Sequence, residues 1–308
     1  MKEDRALFKN YSAALHISNL TFLNSSRIVQ KLYSFDTSHE THFEFSFKLQ
    51  QNRLIPSCRF LNMDSQVYSC KSQLYFLARL ELCRKLMKNK APADLVERSI
   101  RAFEFASRTP MNLYFGADVF NKAYLFAFWL IFGGVQKNGN VTFWNYDFKQ
   151  IIMRMAYLLR CSFPIGILKR NVLNLGIDLG PKEIYYKLYY LCRGNSLDDA
   201  VLREKMHALK SIVRQKHFYF FSEMFDAKGN RVKTKLFIEF LEDIVPWSAN
   251  INQLLSAVLH VTGSMFDEKR LFRVISGIGG RISLMSFEND GTITFYIRSA
   301  HKDSYGKK

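Results

Sequence analysis

Apolar residues recur along most of this 308-residue chain at spacings of three and four, the period of a helix with one buried face. Residues 3–34 predict two short amphipathic helices. Between 41 and 60 the period changes: Phe43, Phe45 and Phe47 alternate with Glu44, Ser46 and Lys48, which predicts a strand, and Pro56 ends the extended piece that follows. Leu74, Leu77 and Leu80 share one face of a predicted helix over 72–90. Pro92 suits the first turn of the next helix, which runs to Arg108 before Thr109-Pro110. Residues 117–132 read as the most apolar helix, stopped by Gly133-Gly134. A turn and a short strand (141–144) follow, then helices over 147–160, 167–174 and 182–192, the last rich in tyrosine. Ser196 with Asp199 resembles a capping box and predicts a long helix reaching Phe225. Helices are expected at 232–244, 249–262 and 267–276. The chain then closes in a hairpin, Arg281–Phe287 and Thr292–Arg298, around Asn289-Asp290-Gly291.

Predicted helices outnumber strands by about three to one. The expected fold is therefore mainly α with small β elements (α+β): a two-lobed helical body with a C-terminal β-hairpin. The Gly-rich loop at 176–181 divides an N-terminal lobe, 1–175, from a C-terminal lobe, 176–300, with residues 301–308 as a tail.

Composition adds a core and a charge. Apolar residues make up 48% of the chain, enough to bury a core and to argue against disorder. Forty-four Lys and Arg against 27 Asp and Glu leave a net charge of +17. A body so charged attracts polyanions, nucleic acid first and anionic membrane second. Five cysteines without a C-x-x-C argue against a disulfide framework or a zinc cluster. Met1-Lys2-Glu3-Asp4-Arg5 is unlike a signal peptide. The apolar run Tyr124–Val135 is too short for a membrane span, which takes about 20 residues. A cytoplasmic, intracellular protein is expected.

The candidate chemistry is cationic. In the helix from Ser196, Leu202, Met206, Leu209 and Val213 form a buried stripe, and Arg203, His207, Lys210 and Arg214 form a flanking basic one. Such a row suits a phosphate backbone. Arg231, Lys233 and Lys235, and Lys169-Arg170, are further candidate phosphate contacts. His217 to Phe221 and the tyrosines at 185–190 could stack on bases if exposed, and read as core otherwise. Gly277-Ile278-Gly279-Gly280 lacks the residues of a phosphate loop. His39 and His42 have no third ligand nearby. Asp178, Asp198 and Asp199 do not clearly converge as a two-metal carboxylate set. No cofactor and no catalytic centre is expected.

Gly116–Ala123 (GADVFNKA) and, some thirty residues on, Met153-Arg154-Met155-Ala156 are similar to two motifs of the nucleocapsid proteins of emaraviruses, segmented negative-strand RNA viruses of plants. Met153 replaces that family's Asn, and its third motif, Gly-Tyr-Glu-Phe, has no counterpart. The resemblance implies a nucleoprotein that coats single-stranded RNA and self-associates into a ribonucleoprotein, with Asn121, Lys122 and Arg154 as RNA contacts. The sequence thus predicts a non-catalytic, sequence-tolerant RNA-binding protein, with RNA favoured over DNA as partner, a homo-oligomer and no membrane span. The alternatives are a sequence-specific DNA-binding initiator or regulator, an enzyme on nucleic acid, and a basic adaptor in a larger assembly.

Overall fold

The computed structural model describes residues 9–11, 13–14, 43–60, 62–64, 91–108, 112–116, 126–135, 140–143, 147–163, 172–180, 182–192, 197–244 and 251–298. Of the two short helices predicted within 3–34, residues 9–11, 13 and 14 are described and helical; the remainder, and the helix predicted over 72–90, lie outside the described residues.

The fold is built on one sheet. Strands β1 (Phe43–Gln50), β2 (Arg53–Phe60), β3 (Asn62–Asp64), β4 (Asn112–Gly116), β5 (Phe126–Ile131), β8 (Val172–Leu179), β9 (Ile184–Leu191), β10 (His217–Phe225), β11 (Arg231–Ile244), β12 (Arg281–Phe287) and β13 (Ile293–Arg298) form an eleven-stranded sheet of order β2-β1-β13-β12-β11-β10-β9-β8-β5-β4-β3. Every pairing is antiparallel. β2 comes back against β4, so the sheet curls round on itself into a barrel. A separate hairpin, β6 (Gly133–Val135) and β7 (Val141–Phe143), leaves the end of β5.

Five helices are described: α1 (Ala93–Ser107), α2 (Phe148–Leu159), α3 (Ala200–Ile212), α4 (Ile251–Thr262) and α5 (Glu268–Ile278). They pack in neighbouring pairs and share one hydrophobic core with one face of the sheet. A second apolar cluster draws on the opposite face alone, with Trp129, Tyr189, Phe220, Phe237 and Tyr296 at its centre. The helices therefore clothe the outside of the barrel, and the second cluster lines its lumen.

This corrects the mainly α, two-lobed expectation. The apolar helix of 117–132 is strand β5 where it is described, the end of the 167–174 helix is the start of β8, and the tyrosine-rich helix is β9. The long helix from Ser196 stops at Ile212, beyond which the chain becomes β10. The helix of 232–244 is β11. The physical reason is shared. These strands are covered by helices on one side and packed in the lumen on the other, so both residue parities are buried and the polar-apolar alternation of a one-faced strand disappears. In β9, Tyr186, Leu188 and Tyr190 join the outer core while Lys187 and Tyr189 alternate with them on the lumen side. Gly176, where the lobes were expected to divide, sits inside β8 and pairs with Trp129 on one side and Lys187 on the other.

Strand β1, α1, α2, α4, α5 and the terminal hairpin form where the sequence predicts them. The reasons are local. Asp147, Asp199 and Asp267 cap α2, α3 and α5 by accepting bonds from first-turn N–H groups. Gly279 ends α5 in the left-handed conformation, φ 72°. Asp290 accepts from the Thr292 N–H in the β12–β13 turn. No described helix is long and apolar enough to cross a membrane.

Candidate functional site

The lumen divides into two layers. The first is aromatic. Phe220 and Phe237 stand opposite one another on β10 and β11 and stack with centroids 4.7 Å apart and planes 3° off parallel. Tyr189 lies 5.8 Å from Phe237, and Tyr296 6.5 Å from it on the other side. Trp129 completes the wall, its Nε1–H donating to the Tyr189 hydroxyl at 3.3 Å. Leu284, Leu191 and Val141 fill in around them.

The second layer, toward the hairpin turns, is charged. From Phe237, two-residue steps back along β11 reach Lys235 and Lys233, opposite Ser222 and Met224 on β10. Met224 in turn pairs with Lys187 on β9. Lys187 is ion-paired with Asp178 of β8, and both side chains are buried. Lys233 and Lys235 both reach Glu288, just beyond β12, with Lys235 Nζ 2.7 Å from Oε1. Burial alone would push the Glu288 carboxyl up. The charges of Lys235 and Lys233 and their hydrogen bonds overcome that and hold it below the usual carboxylate range. Behind Glu288, the buried Lys205 of α3 donates to its backbone carbonyl at 2.8 Å. Burial lowers the Lys205 pKa, against the opposing pull of Asp290 and Asp199.

Three ammonium groups thus face two carboxylates in a largely buried layer. Polar atoms that no described residue satisfies lie on the same strands: Asp178 Oδ1 beside Lys187, Thr292 Oγ1 near the β12–β13 turn, and Asn174 Oδ1, Ser286 Oγ and Thr294 Oγ1 in register with Tyr189 and Phe237. Buried polar groups in folded proteins are nearly always hydrogen-bonded, to protein, water or ligand. The arrangement can receive an anion at the lysine end and an apolar, electron-poor group among the rings.

Of the residues read from the sequence as phosphate contacts, Lys233 and Lys235 are brought together at this layer. Arg231 lies at the start of β11, where its Nη1 pairs with the Glu223 carboxylate at 2.9 Å. Arg203 and Lys210 are on the outer helix α3 and Arg214 lies just beyond its end: Arg203 Nε donates to the Leu197 carbonyl, Lys210 lies over the Tyr219 ring, and Arg214 is exposed. Arg154 is exposed on α2, its guanidinium 5.3 Å from the Tyr157 ring centroid. Asn121, Lys122, Lys169 and Arg170 lie outside the described residues. The tyrosine and Phe-Tyr-Phe-Phe runs are strand residues, in the outer core or in the lumen wall. Sequence reasoning missed Lys187, Glu288 and the aromatic wall. The signal was there: Lys187 and Lys235 each share a strand parity with an aromatic residue two positions away, Tyr189 and Phe237, and Lys233 continues the parity of Lys235.

The fold decides more than any single residue. No protein-family model matches the sequence, and no curated protein matches it. Solved structures do. The chain is similar to the apo form of prenyltransferase PriB, with a TM-score of 0.65 at 12% identity over 97% of this chain and 95% of that one. It is similar to AnaPT from Neosartorya fischeri, with a TM-score of 0.57 at 11% identity over 95% and 91%. The chain has the prenyltransferase barrel fold. That corrects the expectation of a nucleocapsid-like protein that coats RNA: the solved structures that share this fold are prenyltransferases, and Lys233 and Lys235 turn into the barrel instead of joining an outer basic groove.

Proposed function

We propose that the protein is an enzyme that transfers a prenyl group from an allylic diphosphate to a nucleophilic acceptor inside the barrel. The observation that carries the reading is the two-layer lumen, lysines at one end and stacked rings at the other, within this fold.

The chemistry follows from the layers. Breaking the allylic C–O bond leaves the electron pair on the diphosphate and a delocalised positive charge on the prenyl carbons. Lys187, Lys233 and Lys235 face the departing charge, and fixed ammonium groups in a water-poor site stabilise it far more than they would in water. The diphosphate takes over lysine contacts that Asp178 and Glu288 make in its absence. The prenyl cation lies among the π faces of Trp129, Tyr189, Phe220, Phe237 and Tyr296, each worth about 1–2 kcal/mol when desolvated. The same rings keep water from capturing it. The acceptor attacks the cation and a new bond to the prenyl carbon forms. Its displaced proton passes to a base, and Asp178 Oδ1, which accepts no bond from a described residue, is placed for that role.

The test is to incubate the protein with dimethylallyl and geranyl diphosphate and a panel of aromatic and hydroxylated acceptors. Released pyrophosphate and an acceptor heavier by the prenyl group are expected. Lys187→Met and Lys235→Met should each lower the rate by about a hundredfold, the scale for loss of one preorganised charge-stabilising group. Absence of both products across the panel, with the protein folded, would overturn the reading.

A further inference from the structure

A second concave site lies away from the lumen, and nothing in prenyl transfer uses it. It is a cavity of about 880 Å³ between the helical residues 9–11, 13 and 14, the β1–β2 turn and helix α5. Three arginines open onto it: Arg53 from the turn, and Arg270 and Arg273 from one side of α5. Among the described residues none of the three has a carboxylate partner. Arg273 Nε donates to the Lys269 carbonyl, which anchors the guanidinium and leaves its terminal nitrogens to other acceptors. The Arg270 guanidinium lies 5.6 Å from the Phe266 ring centroid. Asn10 and Asn52 stand on the walls, and Leu54 and Val274 supply apolar surface. The turn holds Gln51 and Asn52 at positive φ, 45° and 61°, which sets Asn52 and Arg53 at the cavity's edge.

The cavity has the volume of a small-molecule site. Arginine forks match phosphate oxygens in pairs. A guanidinium backed by a phenyl ring offers its outer face to another planar ring, and asparagine amides read ring edges.

We propose that this cavity binds a phosphorylated ligand with a planar ring, that is, a nucleotide. The phosphates sit on Arg53, Arg273 and the edge of Arg270, and the ring lies over the Arg270 plane. Binding ties Asn10, Ala13 and Ala14 to the barrel wall, where Tyr11 already donates its hydroxyl to the Ser46 carbonyl and stacks on Phe45. The site is independent of the prenyl-transfer reading and stands if that reading fails.

Calorimetric titration of the full chain with ADP, adenosine and inorganic pyrophosphate tests it, on wild type, Arg270→Gln/Arg273→Gln, Arg53→Gln and Lys233→Gln/Lys235→Gln. The expected result is saturable ADP binding, tighter than either fragment. It should weaken by about tenfold per guanidinium removed and persist in the lysine variant. Because the arginines are exposed, circular dichroism should show their variants folded, and Arg53→Gln, on a separate element, repeats the test should the helix variant fail to fold. No saturable ADP binding would overturn the proposal. So would ADP binding lost only in the lysine variant, which would place the nucleotide in the lumen. Pyrophosphate binding as tightly as ADP in the Lys233→Gln/Lys235→Gln variant, where the lumen lysines are removed, would do so too, by showing an anion site only.

Discussion

Trp129 packs directly against Gly176. A Cβ built at Gly176 would stand 2.7 Å from both Cδ1 and Nε1 of the indole, closer than real contacts come. The two residues are cross-strand partners on β5 and β8, and the missing side chain is what lets the largest ring of the lumen wall rest against the sheet instead of projecting into the barrel. Gly176→Ala should displace the indole into the lumen. Overpacking of this kind costs about 1–3 kcal/mol. A lower melting temperature, a changed near-UV circular dichroism signal and weaker binding of the longer of two prenyl diphosphates are expected. An unchanged spectrum and unchanged affinities would show that Trp129 has room to spare.

Glu288 makes acid stability a probe of the charged layer. Its folded pKa lies below the unfolded value, so the stability it contributes is complete above about pH 5 and is lost as pH falls through the lowered folded value. Glu288→Gln should remove that increment. The variant should lose about 3 kcal/mol at pH 7, near the low end for breaking a buried pair because Lys233 keeps 35% of its side chain exposed. Its stability should also fall less steeply than wild type below pH 5. Urea midpoints across pH 3–7 give both numbers, and parallel curves would remove Glu288 from the account.

The unsatisfied hydroxyls separate stability from binding. Thr294→Val and Ser286→Ala delete polar atoms that have no described partner, so each should leave the urea midpoint unchanged or raise it. Each should weaken diphosphate binding by about ten- to a hundredfold, since a hydrogen bond to a charged ligand is worth about 1.5–3 kcal/mol. Destabilisation without a change in binding would mean that these groups serve the fold alone.

Burial pushes the Cys161 thiol up to about 11, outweighing the opposing pull of Arg98. It pushes the Cys192 thiol up to about 12, against Lys210. Both groups are therefore thiols, not thiolates, at pH 8, and should resist iodoacetamide until the protein unfolds. Peptide mass spectrometry of folded and urea-treated samples reads this directly. Rapid labelling of either residue in the folded state would contradict the packing around it.

What the sequence disclosed tracks how many faces an element buries. Helices α2, α4 and α5 each bury one face, and the terminal hairpin is marked by Asp290-Gly291, whose glycine adopts φ 86°. These elements were legible. β9, β10 and β11 bury both faces, and a run such as Phe218 to Phe221 has no period to read. The site suffered the same loss. Lys233 and Lys235 stood out as anion contacts on charge alone, but only strand geometry turns them inward beside Ser222 and Glu288. Lys187, set in a run of tyrosines, signals its role only once β9 is known to alternate between core and lumen.

The most direct test of the account is to titrate a non-ionising thio analogue of geranyl diphosphate into wild type, Lys187→Met and Phe237→Ala. Binding that weakens in both variants, with quenching of Trp129 fluorescence, is predicted, because the ligand must span the lysine layer and the rings together. Equal affinity in all three proteins, or binding that leaves Trp129 unquenched, would contradict a prenyl-diphosphate site in the lumen.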